Sequence, residues 1–198
     1  IILIAPVLVS FISIGGAGSR LSMVTSFSAP ETLSNSIREL EYDKTHGDQL
    51  GSIFHNRRVV YFLTAAKGYF DHFSPDFLFF HGDSGVQHHA VNMGMLYFWN
   101  LPFILLGLYM LINKRTNRSK LLIWMFLLAP LPASITTGTP HPVRAIAMEP
   151  GFSIFAALGA YKLFIDRDQI KHKSVLIIAL FFFSINFLYY LHQYYVHT

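Results

Sequence analysis

Four long apolar runs fill the second half of this chain, and they restrict its fold more than any other feature. They cover about Ala90 to Ile112, Lys120 to Thr137, Val143 to Ile165 and Ser174 to Val196. Each is close to the roughly 20 residues an α-helix needs to cross the hydrocarbon core of a bilayer. Composition agrees: 53% of residues are hydrophobic and 13% charged, whereas soluble domains average about 25% charged. The expectation is an all-α, polytopic transmembrane helical bundle. Prolines inside the runs, Pro102, Pro130 and Pro132, are tolerable where neighbouring helices re-satisfy the freed carbonyls. Cysteine is absent, which excludes a disulfide framework and thiolate chemistry. The net charge of +4 is modest, and no nucleic-acid partner is expected.

The first half reads differently. Ile1 to Ile14 is apolar but too short to span, and it opens without Met. The expectation is a transmembrane helix cut at the boundary of a fragment. Residues 15–89 then form a long segment that does not cross the membrane. Ser28-Ala29-Pro30-Glu31 is a helix-start signal, with Pro in the first turn and an acid near the positive dipole end. Leu33, Ile37 and Leu40 give that helix an apolar stripe, and His46-Gly47-Asp48 ends it. A second amphipathic helix is expected from Ser52 to Phe73, with Val59, Phe62, Leu63, Ala66, Phe70 and Phe73 on one face. It either lies in the bilayer interface or packs against neighbouring spans. Ser74-Pro75 stops it.

The loops between the runs set an orientation. Lys114, Arg115, Arg118 and Lys120 crowd one, and Arg167, Lys171 and Lys173 the other. Short basic loops stay cytoplasmic. The segment 15–89, the loop Gly138 to Pro142 and the C-terminus are therefore expected on the extracytoplasmic side of a multi-pass cell-membrane protein.

Several residues could carry chemistry. Arg144 and Glu149 sit inside an apolar run, where an ionisable group faces a cavity or a partner by default. Thr139-Pro140-His141-Pro142-Val143-Arg144 reads as a helix entrance with Arg144 in the first turn. Free N–H groups there favour an anion such as a phosphate. The competing reading has Arg144 snorkelling to the interface or pairing with Glu149. His81, Asp83, His88 and His89 gather in one stretch with Gly82 and Gly85. Asp83 or His88 could serve acid–base or acceptor-binding work; a structured turn is the plainer reading. Their spacing matches no metal-ligand pattern, so no metal is expected. Arg57 and Arg58 could meet lipid phosphates or lie solvated.

Some of these residues also form a recognisable pattern. Asn56-Arg57-Arg58, the run from Tyr69 to Phe79 and Gly82-Asp83 carry its first part. Gly94 to Tyr97 leading into Leu101 to Leu108, Leu128 to Thr137, His141 with Arg144-Ala145, and His192 to His197 carry the rest. Together they resemble bacterial GT-C glycosyltransferases, relatives of dolichyl-phosphate-mannose protein mannosyltransferases and of aminoarabinose lipid A transferase (glycosyltransferase family 39). The resemblance implies a polyprenyl-phosphate sugar as donor, bound from the outer leaflet, and a protein, lipid or glycan acceptor. It implies an acidic base in a first outer loop, which would precede Ile1, so the catalytic residue is unassigned and the fragment alone is expected to be inactive. By position, Arg144 and His141 are the candidates for the donor phosphate, and Asp83, His88, Arg57 and Arg58 for loop, acceptor or lipid contacts. No cofactor is expected beyond the lipid-linked donor itself. A non-enzymatic membrane protein such as a transporter is the alternative class.

Overall fold

The computed structural model describes residues 24–28, 30–85, 87–164 and 172–197. The run from Ile1 to Ile14 and the loop residues 165–171 lie outside the described residues. Among those described, the chain is helical and contains no strand. Eight α-helices carry them: α1 (Pro30–His46), α2 (Gln49–Phe54), α3 (Arg57–Asp71), α4 (Leu101–Lys114), α5 (Asn117–Leu128), α6 (Leu131–Ser134), α7 (Glu149–Phe164) and α8 (His172–Val196). The all-α expectation holds. The chain divides into two units, Ile1–Gly68 with Ser134–Thr139, and Tyr69–Ala133 with Pro140–Thr198.

In the first unit, α1 begins at Pro30 and ends before Gly47, whose φ of 70° only glycine adopts without strain. The expected second helix is broken in two. Asp48 caps α2 by accepting from the amides of Leu50 and Gly51, and α3 starts afresh at Arg57. Asp43 and His55 are the reason for the break. The buried Asp43 carboxylate accepts a hydrogen bond from His55 Nδ1 at 2.6 Å, and Ser36 donates to the His55 carbonyl at 2.6 Å. A side chain at Gly51 would collide with Asp43. Residues 24–26 meet 135–137 through a single antiparallel bridge, with Ser26 N–H to Ile135 O at 3.1 Å and Thr137 N–H to Val24 O at 2.7 Å. Arg57 donates to the Tyr61 hydroxyl at 2.7 Å and stacks over its ring, while Tyr61 donates to Phe27 O. Arg58 is exposed.

The Asp43 contact raises the pKa of His55 above 6.5, with burial opposing and Glu39 assisting. A raised histidine adds stability that is complete below 6.5 and lost as pH climbs through the folded-state value. Amide exchange protection of α2 is expected to fall on raising pH through that window. In His55→Gln it should be flat; an equally steep fall there would remove His55 as its cause.

The apolar stripe expected from Val59 to Phe73 is covered in part: Phe73 packs against the core of the second unit, while Phe62, Leu63 and Phe70 are exposed. Phe62 is 70% exposed and Phe70 68%.

The second unit has its core in Phe77, Leu78, Leu96, Ile104, Leu111, Phe126, Phe152 and Phe155. Asp76–Phe80 forms a turn of π-helix that the sequence reading took as loop. Met95 N–H donates to Phe77 O at 3.2 Å and Leu96 N–H to Leu78 O at 2.7 Å. Gly94 permits this, because a Cβ there would overlap the Leu78–Phe79 backbone. Residues 90–97 are consumed in that docking, so the helix expected from Ala90 starts at Leu101, with Pro102 in its first turn. Its 14 residues reach about 21 Å, short of a hydrocarbon core of about 30 Å.

The basic loop after α4 shrinks to Arg115 and Thr116. Arg115 takes the left-handed conformation, and Thr116 caps α5 through the Ser119 amide. Helix α5 stops at Leu128, near Pro130, and α7 starts only at Glu149. Helices α4 and α7 cross through glycine. Gly107 faces the backbone of Phe155 and Gly159 the backbone of Phe103, each so tightly that a Cβ would overlap the opposing carbonyl. Such small residues let helix backbones approach closely.

Helix α8 is the one described helix long and apolar enough to cross a membrane, over Ile177–Val196. Ile177, Phe181, Leu188 and Tyr195 are each more than half exposed on it.

Candidate functional site

The polar residues of the second unit converge around Asp83. Gly82, at φ 73°, turns the chain so that a Cβ there would sit 2.6 Å from the His89 ring. A Cβ at Gly85 would sit 2.7 Å from His88 Nδ1. Both glycines are thus required for the loop to close on its own carboxylate. His88 Nδ1 lies 2.6 Å from Asp83 Oδ2, and the Asp83 side chain is 5% exposed. His89 Nε2 lies 2.9 Å from the Asp83 carbonyl and its Nδ1 2.9 Å from Ala90 O. The same five-residue spacing links Asp76 and His81, which bond on the exposed side of the π turn.

His141 joins this cluster from far along the chain. Its ring centroid is 5.0 Å from that of His88. Its backbone N–H donates to Nε2 of His72, a fully buried residue, at 3.2 Å. Burial holds the His141 pKa below the ordinary value. The Arg144 charge pushes it the same way, as do His88 and His72, while Asp83 opposes them. Arg144, three residues along the chain, is an electrostatic neighbour of His141.

One local expectation fails. Arg144 lies in a turn at residues 142–145, ahead of a 3-10 turn at Ile146–Met148, and not in the first turn of a helix. Glu149 holds that place in α7, followed by Pro150. An acid and a proline both favour a helix N-terminus, so they set the start there. Glu149 is exposed and accepts from Ser153 at 3.1 Å. Within the turn, the Asp83 carboxylate meets the rings of His88 and His89.

Two clefts meet at His88. One, of about 380 Å³, is mostly apolar, with Phe77, Leu78, Met148 and Phe152 along it and Val143, Ala145 and Glu149 at one side. The other, of about 470 Å³, is lined by His89, Tyr97, Tyr190 and Tyr194. Gln87, His88, Met95 and Leu96 belong to both.

The structure thus brings together Asp83, His88 and His141, with the Arg144 charge near His141. It places Arg57 and Arg58 at the start of α3 in the other unit. Sequence reasoning overlooked His72, which no local pattern distinguishes from a helix-end residue. His89 was noticed but given no role. What these features define is an all-α protein with, among the described residues, one helix long and apolar enough to cross a membrane, and a half-buried Asp–His cluster beside two clefts that share His88. No protein-family model, curated protein or solved structure matches the chain.

Proposed function

We propose that this chain belongs to a multi-pass membrane glycosyltransferase that moves a sugar from a polyprenyl-phosphate donor to an acceptor hydroxyl on the extracytoplasmic face. The observation that carries the reading is the meeting of two unlike clefts at His88, next to His141 and Arg144. An amphiphilic donor needs an apolar channel for isoprenoid units and a cationic end for its phosphate. The cleft along Phe77, Leu78, Met148 and Phe152 has the first character, and the His141–Arg144 segment has the second. The tyrosine-lined cleft suits a hydroxylated partner, because Tyr offers both a flat face and a polar tip.

In the reaction, the acceptor oxygen forms a bond to the sugar anomeric carbon. The bond from that carbon to the phosphate oxygen breaks, and its electron pair leaves with the lipid phosphate. Arg144 would meet the negative charge that grows on that oxygen, which is electrostatic catalysis by a fixed charge. The acceptor proton goes to a base that we do not assign to Asp83. The multi-pass arrangement belongs to this reading too: α4 and α7, shorter than a full span, would cross with their flanking segments.

A photoreactive polyprenyl phosphate tests it. In membranes containing the full-length protein, cross-links are expected at Met148 to Phe152 or at Phe77 and Leu78. They should be competed by the natural class of donor, with release of lipid phosphate on adding acceptor. Labelling confined to the outer surface of α8, with no release, would sink the reading.

A further inference from the structure

Asp83 Oδ1 and His141 Nδ1 are buried, and neither has a hydrogen-bond partner. Buried polar atoms are satisfied almost without exception, so two orphans facing one cluster call for an occupant. His89 Nε2 is 3.4 Å from Asp83 Oδ1, but it already meets the Asp83 carbonyl at 2.9 Å. One ligand atom from each of Asp83, His88 and His141 lies within 4.8 Å of the other two. We infer that Asp83, His88 and His141 bind a divalent transition-metal ion of the Zn²⁺ class.

Two imidazoles and one carboxylate suit such an ion better than Mg²⁺ or Ca²⁺, which prefer all-oxygen sets. Tetrahedral Zn²⁺ holds its ligand atoms about 3.4 Å apart. Closing on an ion therefore draws the three inward by about an ångström, within reach of side-chain rotation. Supporting contacts are present. His72 Nε2 accepts the His141 backbone N–H at 3.2 Å, and Gly82 and Gly85 leave room for the rings of His89 and His88. Such outer contacts orient metal ligands.

Three protein ligands leave one coordination position open. With the Arg144 charge near His141, that position would hold a phosphate oxygen, and this role rests on the transfer reading above. Ion binding itself does not.

The test uses Zn²⁺ alone, added to the full-length protein purified in detergent after chelator treatment. About one equivalent is expected to bind. Asp83→Asn, His88→Gln and His141→Gln should each weaken it by more than about tenfold, whereas His192→Gln on α8 should not. Folding of each variant is checked by helical circular dichroism. A readout on the unmodified chain guards against misfolding: Zn²⁺ should shield His88 and His141, but not His192, from diethylpyrocarbonate. Equal binding by all three variants, or no shielding, would overturn the site. Binding is read without any donor. Transfer that fails while Zn²⁺ still binds counts against the transferase alone, and transfer without binding counts against the ion site alone.

Discussion

Gly107→Leu or Gly159→Leu is expected to prevent the second unit from folding, and Gly107→Ala to destabilise it sharply. The reason is geometric. A Cβ on Gly107 would overlap the Phe155 carbonyl oxygen, and one on Gly159 the Phe103 carbonyl oxygen. Backbone cannot swing aside as the end of a flexible side chain can, so α4 and α7 must separate. Separation strips contacts from Ile104, Leu111, Phe152 and Phe155 together, all of them core residues. Overpacking costs about 1–3 kcal/mol and more where nothing yields, against a total stability of about 5–15 kcal/mol. For alanine at either site, a loss near the upper end would lower Tm by roughly 10 °C. The Gly107→Ala, Gly159→Ala double variant should cost less than the sum of its parts, because the first substitution already parts the helices. Gly138→Ala is the contrast. Nothing lies within 4 Å of a Cβ there, and only the positive φ of 69° is strained, so about 1–2 kcal/mol is expected. Thermal unfolding in detergent distinguishes the two cases. Equal, small shifts at all three glycines would mean that the helices do not cross where the structure has them.

Arg144→Ala is expected to reduce sugar transfer by about 10²–10³-fold while insertion and folding persist. That is the usual loss when one fixed stabiliser of developing negative charge is removed. Arg144 is partly exposed and lies outside the helices that carry the core, so its replacement should not collapse the core. The loss should fall mainly on kcat, since the leaving phosphate carries more charge in the transition state than in the bound donor. Arg144→Lys should retain part of the rate, keeping the charge but not the two-pronged geometry. Unchanged turnover in Arg144→Ala would remove it from the donor site. A rise in KM alone would limit it to binding.

Much of the helical content was legible because it is written locally. Pro30 starts α1, Gly47 ends it, Ser74-Pro75 follows α3, and the apolar run from Ser174 to Val196 is helix almost to the residue. These signals act through neighbours one to four positions away, and a sequence displays those distances directly. The same local reading overextended α4 and α7. Hydropathy counts apolar residues but not the ones spent on docking, and Ala90 to Tyr97 are spent against the π turn.

The candidate site was half legible. Asp83, His88, His141 and Arg144 were each singled out, but as two separate groups with separate roles. His141 and His72 are 69 positions apart, and no periodicity relates residues at that distance. Gly107 and Gly159 looked like ordinary members of apolar runs for the same reason: what makes a glycine indispensable is the backbone on the other side.

By itself, then, the sequence determined an all-α chain, a helix long enough to cross a membrane and the residues able to do chemistry, since propensity, length and ionisation are properties of residues and their neighbours. The tertiary structure alone decided that Asp83, His88 and His141 share one half-buried place where two clefts meet at His88, and that α4 and α7 touch backbone to backbone. Those facts depend on which distant surfaces exclude water together, and only the folded chain contains that information.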